Sequence, residues 1–252
     1  MSYPIERVEL RHLRMRLRSP FKTSFGVEDD REALAIRVWS DGVQGWGECP
    51  VAAFPGYSYE TVGTAWHVLE AFFLPAVLGR AFEGAAELRL AMDHYKGHPL
   101  ARAGLELALW DIIGRATGQS LRSLLGGTRE RVPVGVSIGI QSDPAALVRA
   151  AGEYLAQGYR RIKVKIMPGR DLDDVRAVRQ AFPEVALQVD ANSAYTLDDA
   201  PRLRALDGLA LLLIEQPLAE DDLIDHARLQ AELRTPLCLD ESILSARHAR
   251  QA

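Results

Sequence analysis

Cysteine is almost missing from this 252-residue sequence: the two present, Cys49 and Cys238, lie far apart with no CxxC or Cys/His grouping. That excludes a zinc site of ordinary spacing and a disulfide framework, and it fits a reducing compartment. No apolar run is long enough to span a bilayer. The opening MSYPIERVELRHLRMRLRSP alternates charged with apolar residues and has no signal-peptide h-region. Positive charge is not in excess either. Thirty Lys and Arg against 34 Asp and Glu give a net charge of −4, and the basic residues are dispersed, so neither nucleic acid nor an anionic membrane is a favoured partner. At 48% apolar and 25% charged residues, the composition is that of a globular protein with one large domain or two smaller ones. A cytoplasmic protein acting on a small molecule is the expectation.

The chain begins with alternating patterns. Ile5–Leu17 and Ala33–Trp39 read as antiparallel strands with one wet face. The Ser19–Gly26 segment between them (SPFKTSFG) and the DGVQGWGECP segment after them read as loops, each either a substrate lid or a solvent-exposed connection. Helical spacing follows over Tyr59–Leu78 and Pro99–Thr117, with Gly118 as a C-cap. The large apolar residues of this region, Trp66, Phe72, Phe73, Met92 and Trp110, are expected in the core. Two glycines after Leu125 mark a boundary, giving an α+β domain over 1–127 and a second domain over 128–252.

Beyond the boundary the rhythm changes to short apolar runs followed by amphipathic stretches. Val132–Ile140 reads as a first buried strand and Pro144–Gln157 as its helix. Four later runs, RRIKVKI, ALQVDAN, LLLIEQP and PLCLDES, carry Lys165, Asp190, Glu215 and Asp240, each 25 residues from the next. Successive βα units predict parallel strands whose C-terminal ends gather at one mouth, as in a (β/α) barrel. A leucine-rich solenoid lacks support, because no LxxLxLxxN pattern is present.

The residues at those ends point to a chemistry. Three carboxylates on successive strands make an all-oxygen site suited to Mg²⁺, and a small metabolite with oxygen ligands is the matching partner. Lys163 and Lys165, two apart on a strand, point the same way, and two ammonium groups beside a divalent cation would disfavour each other's protonation, leaving one as a base. Any one acidic residue at a strand end is more simply a helix cap. Four charged residues of both signs in regular phase are not explained by capping.

In this order and spacing, KVK, DAN, EQP and DES resemble the enolase superfamily in its muconate-lactonising-enzyme subgroup. GYRRIKVKI, VDANSAYTLDDA and IEQPLAEDDLIDHARLQ are similar to the o-succinylbenzoate synthase and N-acylamino-acid racemase family. The resemblance covers nearly the whole chain and is most specific from Val132 onward. It implies an α/β fold in which an α+β capping domain precedes a TIM-type (β/α) barrel, here only its first five or so βα units. It also implies Mg²⁺, with Mn²⁺ or Co²⁺ as substitutes, held by Asp190, Glu215 and Asp240. Lys165 matches the base that removes the proton α to a substrate carboxylate, and Lys163 would neutralise and orient its neighbour; the metal would stabilise the resulting enediolate. Asn192 and Ser137 match positions facing the site, or else satisfy local backbone. Glu241, next to a ligand on the same strand, is expected to point away from Asp240 and act behind it. Thr23, Ser24, Phe25 and the Ala52–Tyr59 loop would shape substrate choice, and a homo-oligomer is the family tendency.

One departure bears on the reaction. The family places a second essential lysine about one βα interval beyond Asp240, past Ala252, and an eight-stranded barrel alone takes about 250 residues. The chain is therefore expected to be the N-terminal portion of an enzyme of roughly 370 residues. Racemisation needs acid and base on opposite faces, whereas syn-dehydration can use one lysine on one face. The expected activity is accordingly o-succinylbenzoate synthase, a lyase of menaquinone synthesis, with N-acylamino-acid racemase, an isomerase, as the alternative. A non-catalytic binding module is a third reading.

Overall fold

The computed structural model describes all 252 residues. The chain separates into two compact units, residues 1–16 with 30–130 and residues 17–29 with 131–252. A single cut after Gly127 has no place for the 17–29 excursion, which breaks the sequential order of the chain.

The first unit holds β1 (Tyr3–Pro4), most of the long strands β2 (Arg7–Lys22) and β3 (Val27–Ser40), whose far ends fall in residues 17–29, and β4 (Val43–Cys49); the last three form a sheet in the order β2-β3-β4. Period-two patterning sets its faces: Leu34, Ile36, Val38 and Ser40 are buried, while Ala35, Arg37 and Trp39 between them are only partly so. The predicted helix over Tyr59–Leu78 is realised as α1 (Val62–Val68), a π-helical turn at Leu69–Phe73 and α2 (Leu74–Val77). Adjacent helical residues are about 100° apart. Phe73 accordingly takes the core position, and Phe72 is 42% exposed, contrary to expectation. Met92 is fully buried, and Trp66 and Trp110 pack against the core at its margin.

After β5 (Ala81–Phe82), which pairs with β1, and α3 (Ala85–Met92) comes α4 (Pro99–Thr117), ended by Gly118 at φ 65° as predicted, then α5 (Leu121–Leu124). Helix α4 lies directly on β4 because glycines remove the spacer: a Cβ on Gly47 would sit 1.9 Å from the Gly104 carbonyl oxygen. The start of α4 is held by the buried Glu60, whose carboxylate accepts from the N–H groups of Leu100 (2.7 Å) and Ala101 (3.0 Å).

In the second unit, β6 (Gly135–Ile138), α6 (Pro144–Ala156), β7 (Arg161–Lys165), α7 (Leu172–Ala181), β8 (Ala186–Asp190), α8 (Ala200–Ala205), β9 (Ile214–Glu215), α9 (Leu223–Glu232), β10 (Leu237–Cys238) and α10 (Ala246–Gln251) alternate as the βα rhythm predicts. The five strands form one all-parallel sheet in sequential order. Its core joins Ile162, Val164, Leu187, Val189 and Ile214 from the strands to Leu147, Val175, Val178, Leu203 and Leu229 from the helices. Asp143 and Asp222 cap α6 and α9 through the N–H groups of Ala146 and Asp225. The first strand is shorter than Val132–Ile140, since Val132 and Val134 are largely exposed and leave the ladder.

The loop expected over Ser19–Gly26 shrinks to a turn at Thr23–Gly26, because β2 runs on to Lys22 and β3 starts at Val27. The Lys22 carbonyl accepts from the Ile140 N–H at 2.8 Å. Gly139 allows that approach, since a Cβ there would meet the Lys22 carbonyl oxygen at 2.9 Å. No helix is long and apolar enough to cross a membrane.

Asp207 ties the segment entering β10 to the end of α8, accepting from the N–H groups of Arg234 (3.0 Å) and Thr235 (2.8 Å). Burial alone would raise its carboxyl pKa, but these N–H groups hold it below the ordinary value. Asp207→Ala is expected to lower stability by about 1–3 kcal/mol in denaturant unfolding near neutral pH, the range for a hydrogen-bonded carboxylate. Because the folded pKa is depressed, that contribution is complete above the unfolded Asp value of about 3.9 and is lost as pH falls through the folded one. The gap between the two proteins should therefore close in acid; a gap that widens would contradict this role.

Candidate active site

Strands β7, β8 and β9 end at Lys165, Asp190 and Glu215, and their registers set these residues side by side: Lys165 opposite Asp190, and Asp190 opposite Glu215. This follows from the 25-residue interval, since equal βα lengths return the chain to the same height on each parallel strand. Lys163 lies two residues earlier on the same face of β7, in register with Ser137 on β6.

The side chains converge on one oxygen. Asp190 Oδ2 is 2.6 Å from Lys165 Nζ and 2.8 Å from Lys163 Nζ. Lys163 Nζ also lies 2.8 Å from Glu215 Oε1, so one ammonium bridges two carboxylates. Lys165 donates to Asn192 Oδ1 at 2.5 Å, and the Asn192 N–H reaches Asp190 Oδ1 at 3.1 Å. Lys165, Glu215 and Asn192 are each 8% exposed and Asp190 only 1%.

The charges follow from these contacts. Burial would lower the Lys163 pKa, but Asp190 and Glu215 together raise it. In this arrangement the two carboxylates, rather than the neighbouring ammonium, decide the charge of Lys163. Burial raises the Asp190 pKa, and Lys165 and Lys163 outweigh that and lower it; burial dominates at Glu215 and raises its pKa.

Asp240 departs from the pattern. Strand β10 ends at Cys238, opposite Glu215, so Asp240 is two residues past the ladder and is exposed. No group of three His, Cys, Asp or Glu side chains stands at metal-binding distance. Asp190 and Glu215 nonetheless share a cation already, the Lys163 ammonium. Their donor chemistry fits a hard divalent ion at that position.

Glu241 reaches the lysine through Asn192: its Oε1 accepts from Asn192 Nδ2 at 2.7 Å, and Asn192 in turn accepts from Lys165. Its Oε2 is buried without a partner, and burial raises the pKa of its carboxyl. The Ser137 hydroxyl is likewise buried and unpaired, so it does not serve local backbone. Of the three residues at the hairpin turn, Ser24 donates to the Asn192 carbonyl at 3.3 Å; Thr23 is buried and bonds to Gly26, and Phe25 is half-buried.

Sequence reasoning passed over Gln216, although it stands inside the EQP motif. Its side chain accepts from the N–H groups of Asp240 (2.9 Å) and Ser242 (3.3 Å). The available signal was an amide directly after a strand-end carboxylate. Gln216, Asn192 and Ser193 all have positive φ, of 38°, 44° and 60°, so three non-glycine residues of the mouth hold a conformation that L-residues seldom adopt.

Residues 5–126 match the mandelate racemase / muconate lactonizing enzyme N-terminal domain, and residues 146–252 match the enolase C-terminal domain-like family. An o-succinylbenzoate synthase from Geobacillus kaustophilus is 52% identical over 100% of this chain and 68% of its own length. The chain belongs to the enolase superfamily. Within the superfamily it is also 49% identical to an N-succinylamino acid racemase from Thermus thermophilus, over 98% of this chain and 67% of that one. The crystal structure of an enolase-superfamily member from Listeria innocua superposes with a TM-score of 0.93 at 36% identity, covering 99% of this chain and 67% of its own. The superfamily fold consists of an N-terminal capping domain and a C-terminal α/β barrel domain, to which the five parallel strands belong. Enzymes of this branch are generally Mg²⁺-dependent. The chain spans about two thirds of the length of the relatives it matches.

Proposed function

We propose that this chain has o-succinylbenzoate synthase activity on a small-molecule carboxylate in the cytoplasm. The observation that carries the reading is Lys165, buried at the end of a central parallel strand and held between Asp190 and Asn192. Asp190, Glu215 and Asp240 would hold Mg²⁺. When bound, that ion would supply positive charge to the substrate carboxylate as its α-carbon loses a proton. Since the Lys163 ammonium bridges Asp190 and Glu215, it would have to give up that bridge to a divalent cation.

Lys165, as the neutral amine, acts on the substrate as base and then, once protonated, as acid. It takes the proton from the carbon α to the carboxylate, breaking the C–H bond. The C–O bond to the leaving hydroxyl then breaks as the double bond forms, and Lys165 returns the proton so that water departs. Asn192 fixes the direction of the Lys165 ammonium, and the Ser137 hydroxyl, in register with Lys163 and free of protein partners, is available to a substrate oxygen. Both lysines lie on one face of one strand, which suits a reaction completed on a single face of the substrate.

The test is formation of o-succinylbenzoate by the purified chain, with Mg²⁺ and after treatment with EDTA, alongside loss of optical rotation of an N-succinylamino acid. Mg²⁺-dependent dehydration faster than racemisation supports the reading. Racemisation as the faster reaction would replace it with the alternative, and activity indifferent to EDTA would remove the metal.

A further inference from the structure

Strand β10 stops at Cys238, so the sheet ladder no longer positions Asp240 and Glu241. Gln216 takes over at that point. Its Oε1 accepts from the N–H groups of Asp240 (2.9 Å) and Ser242 (3.3 Å), and its Nε2 donates to Ser242 Oγ (2.7 Å) and to the Leu218 carbonyl (3.3 Å). The side chain is wholly buried, and every one of these bonds ends on its own loop or on residues 240–242.

The Gln216 backbone is committed in both directions. Its N–H donates to the Cys238 carbonyl and its carbonyl accepts from the Ser193 N–H, each at 2.8 Å. One residue therefore joins the end of β9 to the segment after β10 on one side and to the segment after β8 on the other. Few side chains could do this. The work requires two acceptor lone pairs and two donor hydrogens on one short, neutral head, which only an amide provides. Methionine or leucine would fill the space and leave the N–H groups without their partner.

We propose that Gln216 is a positioning residue. Its amide holds Asp240–Ser242 so that the Asp240 carboxylate can complete the cation set with Asp190 and Glu215, and so that Glu241 reaches Asn192, which in turn holds Lys165. The first half of this rests on the Mg²⁺ reading above; the second stands on the chain from Glu241 through Asn192 to Lys165.

The test compares wild type with Gln216→Leu and Gln216→Glu, the second of which keeps the acceptor oxygen. Amide hydrogen exchange of a peptide covering residues 239–244 reads the clamp without any metal, and calorimetric titration with Mg²⁺ reads its consequence. Gln216→Leu is expected to lose about tenfold or more in protection there, with strand β8 unchanged and with Mg²⁺ affinity lowered about 10–100-fold. Gln216→Glu is expected to retain the protection. Unchanged protection in Gln216→Leu overturns the proposal, and so does lost protection with unchanged Mg²⁺ affinity. A wild-type chain that takes up no Mg²⁺ instead overturns the metal reading, and with it the Asp240 half of the proposal. In that case kcat against KM decides the Lys165 half: a fall confined to kcat supports it, and an unchanged kcat overturns it. If Gln216→Leu does not fold, Ser242→Ala removes one partner of the same amide and is expected to show the same losses at smaller size.

Discussion

Replacing Lys165 by alanine is expected to lower kcat/KM for o-succinylbenzoate formation by roughly 10²–10⁴-fold, the contribution typical of a positioned general acid–base group. Lys165 is the ammonium most tightly enclosed by the mouth, with Asp190 Oδ2 at 2.6 Å and Asn192 Oδ1 at 2.5 Å. Lys163, at 2.8 Å from both Asp190 and Glu215, is occupied as a bridge between carboxylates and does not replace it. The fold should survive, since Asp190 keeps its contacts to Lys163 and to the Asn192 N–H. The measurement is steady-state kinetics with solvent-deuterium exchange at the substrate α-carbon followed by NMR. Retention of activity within tenfold, or α-exchange that persists in Lys165→Ala, would assign the proton transfer to another group.

Asp190→Ala is expected to lower stability by about 3–5 kcal/mol and to remove Mg²⁺ uptake. The magnitude is that of leaving one member of a buried ion pair without its partner. Asp190 is 1% exposed and serves both lysines from one oxygen. Lys163 would keep Glu215, so the cost falls mainly on Lys165, which is buried and has no other carboxylate within ion-pair distance. Asp190→Asn keeps an acceptor but loses the charge, and should fall between wild type and alanine. The lysines hold the Asp190 carboxyl below its ordinary pKa against the effect of burial. Its ionic contribution is therefore complete above the unfolded Asp value of about 3.9 and is lost as pH falls through the folded one. Urea unfolding from neutral to acid pH measures all three proteins. A difference of under 1 kcal/mol between wild type and Asp190→Ala at neutral pH would mean that the lysines find water instead.

Much of the site was visible in the sequence because parallel βα units convert distance along the chain into position in space. An interval of 25 residues, repeated, brings each strand end back to the same edge, and Lys165, Asp190 and Glu215 stand there as neighbours in register. The pattern failed at Asp240. The interval continues, but the strand ends at Cys238, and a residue in a loop is placed by its hydrogen bonds rather than by the period. Glu241 lies in the same segment beyond β10, and its contact with Asn192 depends on that placement. The hairpin turn at Thr23–Gly26 was legible as a break, but its membership in the second unit rests on contacts with Gly139, Ile140 and Asn192 far along the chain.

By itself the sequence determined the alternation of strands and helices in the second unit, the direction of its strands, the family, and the three strand-end residues that share one edge. Each of these depends on local chemistry: apolar runs of strand length, caps at helix starts, and a constant unit length. Only the tertiary structure decided that Lys163 bridges Asp190 and Glu215, that Glu241 turns inward, and that Gln216 holds the segment beyond β10. Those contacts join residues 24 to 52 positions apart. They depend on how far each strand extends and on which buried donor is left without a ladder partner, and neither is settled before the strands have paired.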